Sequence, residues 1–420
     1  MSTTSPSYRA LFAVPGFGRL ISSALLSRIA SLTTPLLLVL FVLDHYHSPQ
    51  LSGIVVLVAI IPGLLVSPIA GAVLDRGARV PLIVLDFCTG AGALALVVVL
   101  SVAGVLQPWM LLLIAGLASL TMPLSNSGTR SVFPLIVPRQ MWDRANATDS
   151  GAYVIATVAG PGLGGVIVAV VGTTYALLVP AAVYMSAAAL LLGMHVPTAE
   201  NASRGSVLGD AWGGLMYVLR NRSLRALAVT LSIHNMGGSA SITVALPVLV
   251  LTRLHGGSAQ VGLLFAVLGG AGVVAGLLSG RIDSEGRERE LMIAGCLATV
   301  VALVILAVSN SLLMAMLGML VFGLSNGPLD IGLFSLRQRV TDPAWFGRAF
   351  AVSMSLNYIG TPIGAALSGP VVARSVTAAF VVGAALVGLS TLGPLLLLEP
   401  SRRRRAAAHE QVRTGTAGGT

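Results

Sequence analysis

Gly71-Ala72-Val73-Leu74-Asp75-Arg76-Gly77-Ala78-Arg79 closes one apolar stretch, and about 205 residues later Gly276-Leu277-Leu278-Ser279-Gly280-Arg281 closes another. Two more echoes stand at nearly the same spacing. Val137-Pro138-Arg139-Gln140-Met141-Trp142-Asp143-Arg144-Ala145 returns as Val340-Thr341-Asp342-Pro343-Ala344-Trp345-Phe346-Gly347-Arg348-Ala349. Gly160-Pro161-Gly162-Leu163-Gly164 returns as Gly360-Thr361-Pro362-Ile363-Gly364. Each echo borders a run long enough to cross a bilayer, for which ~20 apolar residues suffice. The chain thus reads as a duplicated set of membrane helices. Such a set can rock one copy against the other around a site between them, the architecture of a secondary transporter.

Composition agrees. Hydrophobic residues make up 55% of the 420 and charged residues 10%, with a mean hydropathy of +0.90. Soluble domains carry about 25% charged residues, so lipid must be much of this chain's solvent. All 25 basic residues are Arg. Without Lys there is no phosphate loop of the kind that hydrolyses ATP, and no Schiff-base chemistry on Lys. Cys88 and Cys296 both lie in apolar runs and have no metal-cluster spacing. Neither a metal nor a cofactor is expected.

Apolar runs place twelve spans near 21–43, 51–74, 80–105, 108–128, 147–171, 175–195, 226–252, 258–280, 291–309, 311–334, 349–373 and 376–398. An even number puts both termini on one side. With that side cytoplasmic, 22 of the 25 Arg lie on it; Arg253 and Arg374 lie outside, and Arg28 falls within a span. This is a positive-inside pattern, and it makes the high pI of about 10.7 a matter of membrane topology rather than of nucleic-acid binding. The expected organisation is a six-helix bundle over 1–195, a cytoplasmic linker over 196–225 with an interfacial helix around 207–219, a second bundle over 226–400, and a disordered basic tail over 401–420. Arg402-Arg403-Arg404-Arg405 in that tail suits anionic headgroups.

Small residues recur every fourth position on four spans: Gly63, Ser67, Gly71; Gly160, Gly164; Gly272, Gly276, Gly280; and Gly360, Gly364, Ser368. Such stripes allow helices to approach closely in lipid. Either they serve general packing, or, being repeat-related pairs, they form the sliding seam between the halves. Embedded charges are functional candidates by default. Arg28 and Asp86 lie at similar depth and are expected to pair. Asp330 and His234 are candidates for proton coupling; the bland alternatives are a hydrated helix end and a hydrogen-bonded structural histidine. Asp149 with Arg281 forms a candidate lock. Thr33, Thr34, Tyr153, Asn235, Asn357 and Tyr358 are candidates for the substrate cavity, with packing the alternative. Gly323-Leu324-Ser325-Asn326-Gly327 has the spacing of a hydrolase nucleophile elbow, but it lies within a helix rather than on a strand-to-helix turn, and no enzyme activity is expected.

Gly71-x-x-x-Asp75-Arg76-Gly77-x-Arg79 resembles the cytoplasmic loop signature of the major facilitator superfamily. At that place Asp75 would hold the cytoplasmic side closed against the positive start of the eleventh span near Arg348, with Arg76 and Arg79 beside it; an ordinary turn is the alternative. Ala147-x8-Ala156-x3-Gly160-Pro161-x2-Gly164-Gly165 resembles the fifth-span signature of the superfamily's exporters, with Ala at two Gly positions, and Gly160-Pro161 is a place for a bend. Arg28 with Ser31, Asp86, Arg130 before Pro134, Pro138-Arg139, Ala145-Asn146-Ala147 and Gly347-Arg348 extend the likeness over nearly the whole chain. They are similar to the branch that includes enterobactin and macrolide efflux proteins. Thr33 and Thr34 stand where that branch often carries an acid.

The resemblance implies an all-α, polytopic, twelve-helix fold in a cell membrane. It implies a monomer that exports a small amphipathic or apolar molecule (antibiotic, drug or siderophore) with protons as coupling ion. Uptake or lipid flipping on the same fold, and a non-transporting sensor or scaffold, are the other readings.

Overall fold

The computed structural model describes residues 7–76, 79–194, 196, 207–279, 281–282, 284–342 and 345–398, without the side chains at 72, 75, 76, 143, 207, 208, 210, 211 and 346–351. All twelve expected segments are helices. They are α1 (Phe17–Tyr46), α2 (Pro49–Val58 and Ile61–Arg76), α3 (Arg79–Val102), α4 (Pro108–Ser119 and Met122–Ile136), α5 (Trp142–Ala176) and α6 (Leu178–Leu191). After a linker helix, Val207–Arg220, come α7 (Arg222–Arg253), α8 (Ser258–Ser279), α9 (Glu288–Ala307), α10 (Leu312–Val340), α11 (Phe346–Arg374) and α12 (Val376–Ser390 and Leu392–Leu397). Ten are long and apolar enough to cross a bilayer among the described residues, and α6 is a shorter apolar helix of 14 residues.

Local chemistry sets the ends. Ser48, Asn221, Ser311 and Ser375 accept from backbone N–H groups of the first turns of α2, α7, α10 and α12, satisfying donors that a helix start leaves orphaned. The second part of α4 and α10 run further than their apolar cores, to Ile136 and Val340. Arg130 and Arg339 lie on those added turns, where long side chains can be solvated while the helix persists; Arg337, also there, is buried. α5 continues through Pro161; its one non-helical residue is Gly172, at φ 80°. The bend expected at Gly160-Pro161 therefore lies about three turns further on.

The outward faces are apolar: Leu65, Val170, Leu277 and Leu313 are each more than 70% exposed. Large apolar surface of this kind is rare in water and is what a lipid-facing helix presents.

The contacts divide the chain into two compact units. One comprises Met1–Gly209, Leu246–Ala266 and Ala365–Ala373; the other comprises Asp210–Ala245, Val267–Gly364 and Arg374–Thr420. In the first, α1 packs along α5 and α6, and α3 along α6 and the second part of α4. In the second, α9 packs along α10 and α12, and α7 along α12. α7 changes unit at Ala245, the last residue of a π-helical turn, Ser241–Ala245; a second π turn spans Leu249–Arg253.

Candidate functional site

In the first unit, Arg28 on α1 is embedded and needs a counter-charge. It takes Asp149 of α5, with Nη2 at 2.7 Å from Oδ1 and side-chain exposures of 15% and 8%. Its Nη1 also donates to the Asp149 carbonyl at 3.0 Å. Arg130 of α4, far more exposed, approaches the other Asp149 oxygen at 3.4 Å. The ring of Tyr153, one turn along α5, lies 5.8 Å from the Arg28 guanidinium, within cation–π range. Two cations share one carboxylate, which leaves an excess of positive charge.

This corrects two expected pairings. Arg28 joins Asp149 rather than Asp86, because α1 packs along α5 and α6. Asp149, expected to lock with Arg281, is taken up by Arg28 and Arg130; Arg281 is an exposed residue of the second unit. Asp86 on α3 is 8% exposed and accepts from the Thr121 hydroxyl at 2.7 Å, with Ser125 beside it. Tyr184 of α6 stands near the carboxylate and bonds Ser31 of α1. Among the described residues this buried carboxylate has hydroxyl partners and no cation.

On α5 and α11 the glycine stripes serve packing within a half, the first of the two readings, rather than a seam. A side chain on Gly160 would meet Leu32, and one on Gly164 would meet Thr33, so both pack α5 onto α1. Gly360 and Gly364 likewise pack α11 onto Ser232 and Met236 of α7. Contact between the repeated halves, inside the first unit, is made one residue over. A Cβ on Gly165 would strike the backbone of Gly262 and Ser258 on α8, and one on Gly53 the backbone of Ala365 on α11. Gly369 meets Pro49 and Gln50 in the same way.

Thr33 is likewise part of the packing and not of a cavity wall. It is 3% exposed, and its hydroxyl lies 2.9 Å from the Gly160 carbonyl and 2.6 Å from that of Ile29. Thr33→Val, which keeps the shape, should lower stability by about 0.5–1.5 kcal/mol and leave substrate preference unchanged; a changed drug profile at wild-type stability would return Thr33 to the cavity. Thr34 donates to Ala30 of its own helix. Tyr153 and Tyr358 are exposed, at 37% and 51%.

In the second unit, Asn235 of α7 donates through Nδ2 to the Asn357 carbonyl of α11 at 2.9 Å. Asn357 is buried; with its amide turned to satisfy both neighbours, Oδ1 accepts from Nη2 of Arg337 on α10 at 2.8 Å and Nδ2 donates to the Ser353 carbonyl at 3.0 Å. Asn235 and Asn357, expected in a cavity, thus bind α7, α10 and α11 together. Arg337 is 1% exposed, lies 3.0 Å from Met354 Sδ, and was not visible as an embedded charge because the tenth span was ended at 334. The signal was there: nothing breaks helical continuity before Asp342-Pro343. The ion pair of buried Glu288 with the exposed Arg339 escapes the sequence reading for the same reason. His234 is buried, with no hydrogen-bond partner at Nδ1 among the described residues. Asp330 is exposed on α10. Ser325 of the elbow-like motif is buried within α10 and donates to the Phe322 carbonyl.

Arg79 fastens the start of α3, donating to the Ser131 carbonyl at 2.8 Å. Asp75, Arg76 and Arg348 are helical, and their side chains lie outside the described residues. The basic tail expected to be disordered, with Arg402–Arg405, also lies outside them.

The family model of the Major Facilitator Superfamily matches residues 20–365 and 227–418. An MFS-type transporter of Sinorhizobium fredii, y4rN, is 37% identical over 93% of this chain and 96% of its own length. The multidrug efflux pump Tap of Mycolicibacterium fortuitum is 24% identical over 78% of this chain and 82% of its own. The crystal structure of the nucleoside transporter NupG superposes with a TM-score of 0.74 at 13% identity, over 92% of this chain and 99% of that one, a likeness of fold.

Proposed function

We propose that this chain, which belongs to the major facilitator superfamily, exports a small amphipathic or apolar compound in exchange for protons, by alternating access. Its relatives include an efflux pump, and an antibiotic, drug or siderophore is the substrate class. The observation that carries proton coupling is Asp86: a buried carboxylate with the hydroxyls of Thr121 and Ser125 on α4 and of Tyr184 on α6 around it. It can bind and release a proton without breaking an ion pair. Asp330 on α10 is a second carboxylate for the same task. The excess positive charge at Arg28, Asp149 and Arg130 gives the first unit a polar centre against which a substrate's acceptor groups would bind.

The arginine-rich ends, and with them both termini, face the cytoplasm of the cell membrane. The halves 1–195 and 226–400 move as bundles joined by the 196–225 linker. Asp75, with Arg76, closes the cytoplasmic side against α11 near Arg348. The protein works as a monomer. One charge crossing about 100 mV is worth about 2.3 kcal/mol, enough for a roughly fifty-fold gradient.

Drug susceptibility of an efflux-deficient strain, with and without this protein, finds the substrate. In proteoliposomes with an imposed pH gradient, Asp86→Asn should then lower proton-driven transport by at least about ten-fold, within the usual range for losing a positioned proton carrier. Substrate exchange without a gradient should persist. Proton-driven transport at the wild-type rate in Asp86→Asn would remove Asp86 from the mechanism, and a gradient without effect on the wild type would remove proton coupling.

A further inference from the structure

The linker helix, Val207–Arg220, has two unlike faces. Helical spacing puts Gly214 and Val218 on one side, where both are buried, and Trp212 and Leu219 on the opposite side, 62% and 40% exposed. The buried side is firmly seated. Tyr217 stacks on Trp345 with ring centres 5.2 Å apart and planes 8° from parallel. Gly213 also faces the Trp345 ring, and the Tyr217 hydroxyl accepts from the Asp342 N–H at 3.0 Å. Only Asn221 separates this helix from α7, a membrane span. The exposed side must therefore lie at the level where the bilayer meets water.

That level is basic. Arg220, Arg222 and Arg225 are all exposed. Arg222 donates to the Leu396 carbonyl and Arg225 to the Leu219 carbonyl, so both guanidinium groups keep their charge. Arg289 does the same at Leu395. An exposed Trp and Leu flanked by arginines that bind carbonyls rather than carboxylates form the pattern of a helix lying in an anionic interface. The apolar side chains favour a lipid over free phosphate, which has nothing to offer them.

We propose that the linker helix is a seat for anionic phospholipid. Trp212 and Leu219 enter the boundary between headgroups and acyl chains, and Arg220, Arg222 and Arg225 take the headgroup phosphates. Through the Tyr217–Trp345 stack this seat is coupled to the turn that leads into α11.

The test uses the full chain in vesicles of phosphatidylcholine, with and without phosphatidylglycerol. The difference in fluorescence between wild type and Trp212→Phe isolates Trp212. Brominated phosphatidylglycerol should quench that component several-fold more strongly than brominated phosphatidylcholine at equal content. Each arginine at an anionic surface enriches the lipid about five-fold. Arg220→Gln/Arg225→Gln, which leaves every tryptophan and the Leu396 contact in place, should therefore reduce the preference to what Arg222 alone supports, and high salt should weaken it. Equal quenching by both lipids would overturn the headgroup assignment. Access of aqueous iodide to Trp212 with no quenching by either lipid would overturn the lipid seat and point to a protein partner. Loss of the preference on adding inorganic phosphate would make phosphate the ligand and overturn it too.

Discussion

Asp149→Asn is expected to lower the unfolding temperature of the detergent-solubilised protein sharply and to abolish transport. The substitution keeps the shape of the side chain and removes the charge that Arg28 was buried against. Breaking one side of a buried ion pair typically costs about 3–5 kcal/mol, and Arg28 is 15% exposed, so water offers it little compensation. Arg28→Gln/Asp149→Asn should regain much of the loss, since two neutral amides can bond each other without a stranded charge. Arg130→Gln should change stability by less than about 1 kcal/mol, as its side chain is 62% exposed. Thermal unfolding of the four proteins checks all three statements. An Asp149→Asn protein that melts with the wild type would remove the pair from the list of what holds α1 to α5.

Gly165→Leu is expected to have the second large effect, on conformation rather than on folding. At Gly165 and Gly262 the backbones of α5 and α8 approach so closely that even a Cβ cannot be placed. A leucine forces the helices apart at that point. Overpacking costs about 1–3 kcal/mol, which shifts a two-state equilibrium by roughly five- to 150-fold. If this contact closes one face of the transporter and parts in each cycle, the variant stays open there. A cysteine in place of Gly162, which faces Ala266 across the same contact, reports the state in a chain whose Cys88 and Cys296 are serine. Labelling by a membrane-impermeant maleimide should rise at least about five-fold with Gly165→Leu, and transport should fall with it. Unchanged labelling and unchanged transport would mean that the contact is static.

The helices were legible because a membrane span is set by length and hydrophobicity, both of which are local. So was Arg28, because a charge within an apolar run is conspicuous. Its partner was not. Asp86 and Asp149 are both carboxylates near the same depth, and depth does not say which helix is the neighbour; the packing of α1 along α5 decided it. The glycine stripes left two readings open for a related reason. The four-residue stripe on α5 is real, but Gly164 and Gly165 point about 100° apart, and only the structure shows that the first faces α1 and the second α8. Arg337 is lost to a boundary: an arginine three residues beyond a span that ends at 334 reads as a loop residue, whereas the helix carries it into the protein.

The π turns of α7 bear on how such a chain can vary in length. Elsewhere in a span, one inserted or deleted residue swings every later side chain about 100° around the axis and would carry lipid-facing groups into the interior. A π turn stores one residue more than an α turn over the same stretch of axis. Removing a residue from 241–245 can be absorbed by tightening that turn, so the azimuth of Leu246 and all that follows is preserved. Natural length differences within this helix should therefore collect there and at the second π turn, Leu249–Arg253, and almost nowhere else along it.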